Sequence, residues 1–224
     1  MTSTPPSPNV CSKTIELGPP GAIVCRKLCS KAHSSTSLLL YSNGQGQPIE
    51  QGHANVVTKA LEDSFERKAS SLTTFLDASA RMRARIRQDK RKRKRLRPQH
   101  ASLAIVTCKL DELQIAWSGD IFAIKLRNSV PTVIARPSRA GRIDFVCDPL
   151  GSAPSFGRYR LCEGDFMFVF TANLSQTMLE DDMLWTRLVE ARTLCDASRA
   201  TVQAIIRSGD DIGACHIIGT GKIY

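Results

Sequence analysis

The 224-residue chain has no run of about 18 apolar residues, so no membrane-spanning helix is expected. Met1 to Val10 is rich in Pro, Ser and Thr and lacks the basic start and apolar centre of a secretory leader, so no export signal is expected either. The expected location is cytoplasmic, or nuclear where the host cell has a nucleus. The eight cysteines, at 11, 25, 29, 108, 147, 162, 195 and 215, lack zinc-type pairing. Cys25 and Cys29 make one C-x3-C pair with His33 as a third ligand candidate, but no second pair follows. They read as reduced, small apolar residues. The four histidines, 33, 53, 100 and 216, share no metal spacing, and His53 suits a capping or exposed place early in a helix. No G-x-S-x-G occurs, and Gly219-Thr220-Gly221-Lys222 lacks the Ser/Thr and the helix of a phosphate loop. No internal repeat is present.

What remains is a globular composition, 42% hydrophobic and 23% charged, long enough to bury one sizeable core. The charge is unevenly placed. Lys and Arg total 31 against 21 Asp and Glu, a net of +10. Arg81 to Arg97 alone holds 11 basic residues and one acid, Asp89, so the rest of the chain is neutral. This is a neutral body carrying one basic segment.

Along the chain, residues 1–20 read as a flexible arm punctuated by five prolines, and 21–224 as a single domain. Strands are expected at about 22–27 and 37–41, followed by the Gly-rich loop Ser42 to Gln47. From about 50 to 87 apolar residues recur at steps of three, four and seven, which predicts amphipathic helix broken near Ser70-Ser71. From Ala101 the period shortens. Strands are expected at 101–109, 113–117, 121–127 and 132–135, joined by tight turns. Residues 136–160 read as loop, 165–171 as a very apolar strand, 177–194 and 197–207 as helices, and 212–218 as a last strand. Helices segregate from antiparallel strands, so the class is α+β, with a two-sheet sandwich burying the apolar strands between helices.

Four landmarks in this order resemble the metal-dependent protein phosphatases (PPM, type-2C). They are Tyr41-Ser42-Asn43-Gly44-Gln45-Gly46-Gln47 before the first helix and Ser118-Gly119-Asp120 between two strands. The others are Glu163-Gly164-Asp165 opening a strand closed by Thr171-Ala172-Asn173, and Ser208-Gly209-Asp210-Asp211 before the last strand. The resemblance covers roughly 22–219. It implies an antiparallel β-sandwich flanked by helix pairs, and a centre where carboxylates hold two Mg2+ or Mn2+ ions that activate water against a phosphoserine or phosphothreonine ester.

The departures bear on activity. The Asp of the Gly-rich loop is Asn43, followed by Gly44, and that loop's final Gly is Gln47. The Asp after strand 165–171 is Ala172, and no acid lies in 32–36. Of the four expected acidic landmarks only Asp210 remains, beside weak neutral candidates at Asn43 and Gly44. Asp120, Asp210 and Asp211 also suit acidic turns. Glu180-Asp181-Asp182 suits a helix N-terminus. The expectation is a catalytically inactive or impaired phosphatase-like protein without a cofactor, acting by binding a phosphorylated or regulatory protein. An active divergent phosphatase using Mg or Mn is one alternative. A nucleic-acid-associated basic protein on an unrelated α+β fold is another.

The basic segment supplies Arg81, Arg83, Arg85, Arg87, Lys90, Arg91, Lys92, Arg93, Lys94, Arg95 and Arg97. Such density is expected to be exposed. It suits nonspecific nucleic acid, an anionic surface, an acidic partner or a solvated loop. No interleaved aromatic supports base stacking.

Overall fold

Strands that are apolar at every position need a cover on both faces, and helices with one apolar stripe can supply it. In the computed structural model of the chain these two demands meet in a four-layer arrangement. The described residues are 10–17, 23–30, 35–42, 51–92, 102–109, 111–119, 121–128, 130–136, 153–171, 180–208 and 213–220. They form β1 (Val10–Leu17), β2 (Ile23–Ser30), β3 (Ser35–Ser42), α1 (Gln51–Glu66), α2 (Ser71–Lys92), β4 (Ser102–Lys109), β5 (Glu112–Ser118), β6 (Ile121–Arg127) and β7 (Val130–Ala135). After these come β8 (Ser155–Arg160), β9 (Phe166–Thr171), α3 (Asp182–Glu190), α4 (Leu194–Ser208) and β10 (Gly213–Thr220).

Two five-stranded sheets result, ordered β1-β10-β9-β6-β7 and β2-β3-β4-β5-β8, with every pair antiparallel. The two-residue period of each strand splits its side chains between two cores. Ala104, Val106, Leu113, Ile115, Ile121, Ala123, Met167 and Val169 meet between the sheets. Leu103, Ile105 and Ala116 point the other way, onto Val57, Leu61, Phe75, Met82 and Ile86 of α1 and α2. Phe122, Ile124, Phe166, Phe168 and Phe170 of the other sheet pack under Leu184 and Leu188 of α3 and Ala197, Ala204 and Ile205 of α4. The fold is the expected α+β sandwich flanked by two helix pairs.

The helix ends have local causes. Lys68, at φ 54°, ends α1, with Ala69 N–H donating to Ser64 O at 2.9 Å. Ser70 then caps α2 by accepting from Thr73 N–H at 3.2 Å, so the expected break near Ser70-Ser71 is a turn between two helices. Asp181 caps α3 through Leu184 N–H at 2.9 Å and pairs with Arg207 at the end of α4. Thr193 and Asp196 cap α4 reciprocally, at 3.1 and 3.2 Å.

Several expectations are corrected. Val10–Leu17 is not part of a flexible arm. It pairs with β10 along its whole length, from Val10 opposite Thr220 to Leu17 opposite Gly213. Ser155–Arg160, expected as loop, is the edge strand β8. His53 is 3% exposed rather than at the surface, because α1 turns it toward the body.

Candidate functional site

The strand registers set one end of the sandwich apart. Ser42, closing β3, lies opposite Ser102, opening β4, and Ile23, opening β2, also lies opposite Ser42. Leu103 is opposite Ser118, which closes β5. Ile121, opening β6, is opposite Thr171, closing β9, and Leu17 of β1 is opposite Gly213, opening β10. All these termini therefore lie along one rim.

The expected ligand positions of the phosphatase-like landmarks are joined to this rim by sequence adjacency. Asn43 and Gly44 directly follow Ser42, Ala172 follows Thr171, and Asp210 precedes Gly213 by three residues. Asn43, Gly44, Ala172 and Asp210 lie outside the described residues, as does Asp120. Three described polar side chains of the rim are hydroxyls: Ser102, Ser118 and Thr171 are each 3–5% exposed. Thr171 Oγ1 accepts from Ala214 N–H at 3.3 Å, while Ser118 Oγ has no hydrogen-bond partner among the described residues. Gly119, at φ +81°, carries the chain from one sheet to the other. A Cβ there would lie 2.6 Å from Ser102 Oγ and 3.0 Å from Ser102 Cα. Among the described residues no three His, Cys, Asp or Glu side chains come together as a metal site.

The second Gly-Asp turn is at the opposite rim. Asp165 opens β9 at 2% exposure and receives Arg127 Nε at 2.9 Å and Nη2 at 2.5 Å, with Cys162 N–H at 2.8 Å. Its own N–H donates to Thr220 Oγ1 at 3.1 Å. Every oxygen of Asp165 is engaged in holding strand ends together, so this acid is structural.

The cysteines do not form a zinc set among the described residues. Cys25 Sγ lies 3.7 Å from Thr14 Oγ1 between the sheets, and burial pushes its thiol up to about 11. Burial also pushes Cys108 up to about 12 and raises Cys215, so these three are thiols at neutral pH, not nucleophilic thiolates. Cys29 is exposed, and His33 lies outside the described residues.

The basic segment is the C-terminal half of α2 as far as Lys92, so this part is folded helix. Arg93, Lys94, Arg95 and Arg97 lie outside the described residues, and for Lys90, Arg91 and Lys92 the backbone alone is described. Arg81 is a correction to the exposed reading. Its guanidinium is shared between Asp63 at 2.6 Å and Asp77 at 2.8 Å, and hydrogen bonding to Arg81 holds the Asp63 carboxyl below its ordinary range. Arg85 lies over the first turn of α1, where a Cβ on Gly52 would meet its Nη2 at 2.9 Å. That contact shows which way α2 runs. Its basic end approaches the start of α1, which follows β3, and the chain next enters β4 at Ser102 on the same rim. The sequence could not show that the described part of the basic segment runs toward the end of the molecule where β3 closes and β4 opens.

Comparison with solved structures identifies the architecture as that of the metal-dependent (PPM, type-2C) serine/threonine phosphatases. The chain is similar to the Mycobacterium tuberculosis serine/threonine phosphatase PstP (TM-score 0.65, 12% identity, covering 96% of this chain and 98% of that one). It is similar to PppA of Pseudomonas aeruginosa, described as a key regulatory component of T6SS (0.67, 17%, 94% and 97%). It is also similar to the S. agalactiae serine/threonine phosphatase (0.67, 15%, 94% and 99%). No protein-family model matches the sequence, and no curated protein matches it. The unrelated α+β fold weighed as an alternative is thereby set aside.

Proposed function

We propose that this protein is a phosphatase-fold binding protein with a lost or impaired metal centre, and that it recognises a phosphorylated or regulatory protein at the rim where β3, β5 and β9 end and β10 begins. The observation that carries this reading is the donor set tied to that rim. One PstP structure of the same fold holds two manganese ions, and RsbX binds magnesium. Hard divalent cations need anionic oxygens. Here the sequence supplies an amide at Asn43, a methyl at Ala172 and buried hydroxyls at Ser102, Ser118 and Thr171, with Asp210 as the remaining carboxylate at an expected ligand position. Such a set does not fit a pair of these ions, and no hydrolytic step is assigned through them. What the rim retains is a phosphatase-like frame able to present polar groups to a partner.

The test pairs turnover with binding. In Mn2+ or Mg2+ the protein should hydrolyse a phosphoserine peptide negligibly, and calorimetry should show weak Mn2+ binding. Asn43→Asp with Ala172→Asp should tighten that binding, because two anionic oxygens are restored. A phosphoserine peptide should still bind with EDTA present, more tightly than its serine counterpart. Robust metal-dependent turnover by the unmodified chain, abolished by Asp210→Ala, would instead establish an active divergent phosphatase using Mg or Mn.

A further inference from the structure

Beside β1 the sandwich combines an open strand edge with an exposed apolar helix flank. β1 ends its sheet, with β10 on one side and no strand among the described residues on the other. Thr220 N–H donates to Asp165 O at 3.0 Å and Ala214 N–H to Thr171 Oγ1 at 3.3 Å, so both residues turn away from β1. Their β1 partners, Val10 and Glu16, therefore turn their backbone groups outward, as do Ser12 and Thr14 between them. Ser12 O accordingly accepts Lys27 Nζ of β2 at 3.5 Å. Above this edge, α4 packs over β1 and β10. One flank of α4 meets α3, through Gln203 with Arg187 and Arg207 with Asp181. α3 buries Leu184 and Leu188, so it lies over the inner strands and not beyond the edge. The helical period puts Val202 and Ile206 on the opposite flank, at 36% and 72% exposure. Two exposed charges complete the edge. Glu16 shares the inner face of β1 with Thr14, and Lys27 approaches from β2. Among the described residues neither forms an ion pair.

We propose that β1 pairs antiparallel with β1 of a second copy of this chain, about a two-fold axis at Thr14. That axis sets Thr14 opposite Thr14, and Ser12 opposite Glu16 of the second copy. Each such pair exchanges two backbone hydrogen bonds. Lys27, already at Ser12 O, then meets Glu16 of the second copy, and symmetry repeats the contact. Lys13 falls opposite Ile15. Other registers are poorer. An axis at Lys13 sets lysine against lysine, and one at Glu16 sets acid against acid, both repulsive. An axis at Ile15 moves Glu16 opposite Thr14, away from Lys27, and pairs less of the strand. With the paired strands about 4.8 Å apart, the two α4 helices run side by side. Val202 and Ile206 of both copies then leave water together. An unrelated extended segment would satisfy the backbone edge, whereas a second copy also returns the complementary charges and a matching apolar flank. The axis sends the two rims at the Leu17 ends of β1 to opposite ends of the dimer, so both stay open. The proposal therefore does not depend on what that rim binds.

The test is the mass of the full chain in solution, by sedimentation equilibrium over a wide concentration range. The protein should reach twice its 24.6 kDa as concentration rises. Glu16→Lys sets like charges beside each other at both symmetric contacts and should weaken the dimer roughly tenfold. Lys27→Glu should do the same, and Glu16→Lys/Lys27→Glu should restore the native affinity. Within one copy Glu16 lies four residues along β1 from the Lys27 contact, about 13 Å away, so this rescue reports a contact between copies. Val202→Asp/Ile206→Asp should leave a monomer. Thermal melting by circular dichroism establishes that each variant is folded. Hydrogen exchange supplies the second readout: the amides of Ser12, Thr14 and Glu16 should become protected only where the dimer forms. Protection of these amides in a 24.6 kDa monomer would mean that another segment of the chain holds the edge, and would overturn the proposal. A monomer at every concentration would overturn it too, as would a dimer indifferent to the charge exchange and to the α4 substitutions. Failure of phosphoserine-peptide binding would leave these readouts unchanged, so the two readings fail separately.

Discussion

At the residue scale, two positions couple sequence to fold most directly. Gly119 combines a left-handed φ of +81° with a close approach to Ser102. An added methyl meets strain from both sources, and the nearer obstacle includes backbone. Gly119→Ala should therefore destabilise by about 1–3 kcal/mol, read as a lower urea midpoint with an unchanged m-value. A neutral outcome would mean that the crossover between sheets can relax. His216 is the second case. It is fully buried between the sheets, its Nδ1 lies 2.7 Å from Thr14 Oγ1, and its Nε2 has no hydrogen-bond partner among the described residues. Burial, with a smaller contribution from the Lys27 charge, pushes its pKa down to about 3 from 6.5. The folded state therefore resists a proton that the unfolded state accepts. Stability from this group is complete above about 6.5 and is lost as pH falls from there toward 3, at about 1.4 kcal/mol per pH unit. From pH 7 to pH 5 the wild type should lose about 2 kcal/mol that His216→Gln does not. Parallel pH profiles for the two proteins would refute the assignment.

At the element scale, legibility in the sequence followed burial. β4, β5, β6 and β9 are covered on both faces, so their residues are apolar almost throughout and their limits were readable to within a residue or two. The hairpin between β6 and β7 was equally plain. Arg127 faces Val130 across a two-residue turn, and Asn128 takes a φ of 48° that suits asparagine. The two strands that were missed are both sheet edges. β8 alternates exposed and half-buried positions, so Ser-Phe-Gly-Arg-Tyr-Arg carries little apolar signal although it pairs fully with β5. β1 follows a Pro-rich stretch and carries Lys13 and Glu16 on its exposed positions, which masked its partly covered side. Periodicity reports what a segment buries, whereas an edge strand is defined by backbone pairing that sequence does not display. The same limit applied to the basic segment. Its charge was evident, but only the packing of Met82 and Ile86, and the capture of Arg81 by two acids on α1 and α2, decide which cations face outward. The candidate site was legible as an ordered set of landmarks, and strand register then joined the strand ends that carry them.

At the scale of the whole molecule, the two sheets are tied at both open sides. On one side Tyr159 Oη donates to Ile134 O at 3.0 Å and Trp117 Nε1 donates to Arg136 O at 3.1 Å, each bond crossing from one sheet to the other. On the other side the closure depends on β1. Thr14 meets both His216 of its own sheet and Cys25 of the opposite sheet, and Lys27 Nζ donates to Ser12 O at 3.5 Å. Deleting residues 1–17 distinguishes this role from the flexible arm read in the sequence. An arm could be removed without consequence. If β1 closes the sandwich, its loss uncovers His216 and leaves β10, with Ile217 and Ile218, as an unpaired apolar edge, which is a template for aggregation. The truncated chain should lose its cooperative thermal transition or melt far below the intact protein. It should also bind a hydrophobic dye in the cold and elute partly as aggregate from a sizing column. A monomeric truncation with an unchanged melting curve would show that the nine remaining described strands hold the sandwich closed without β1.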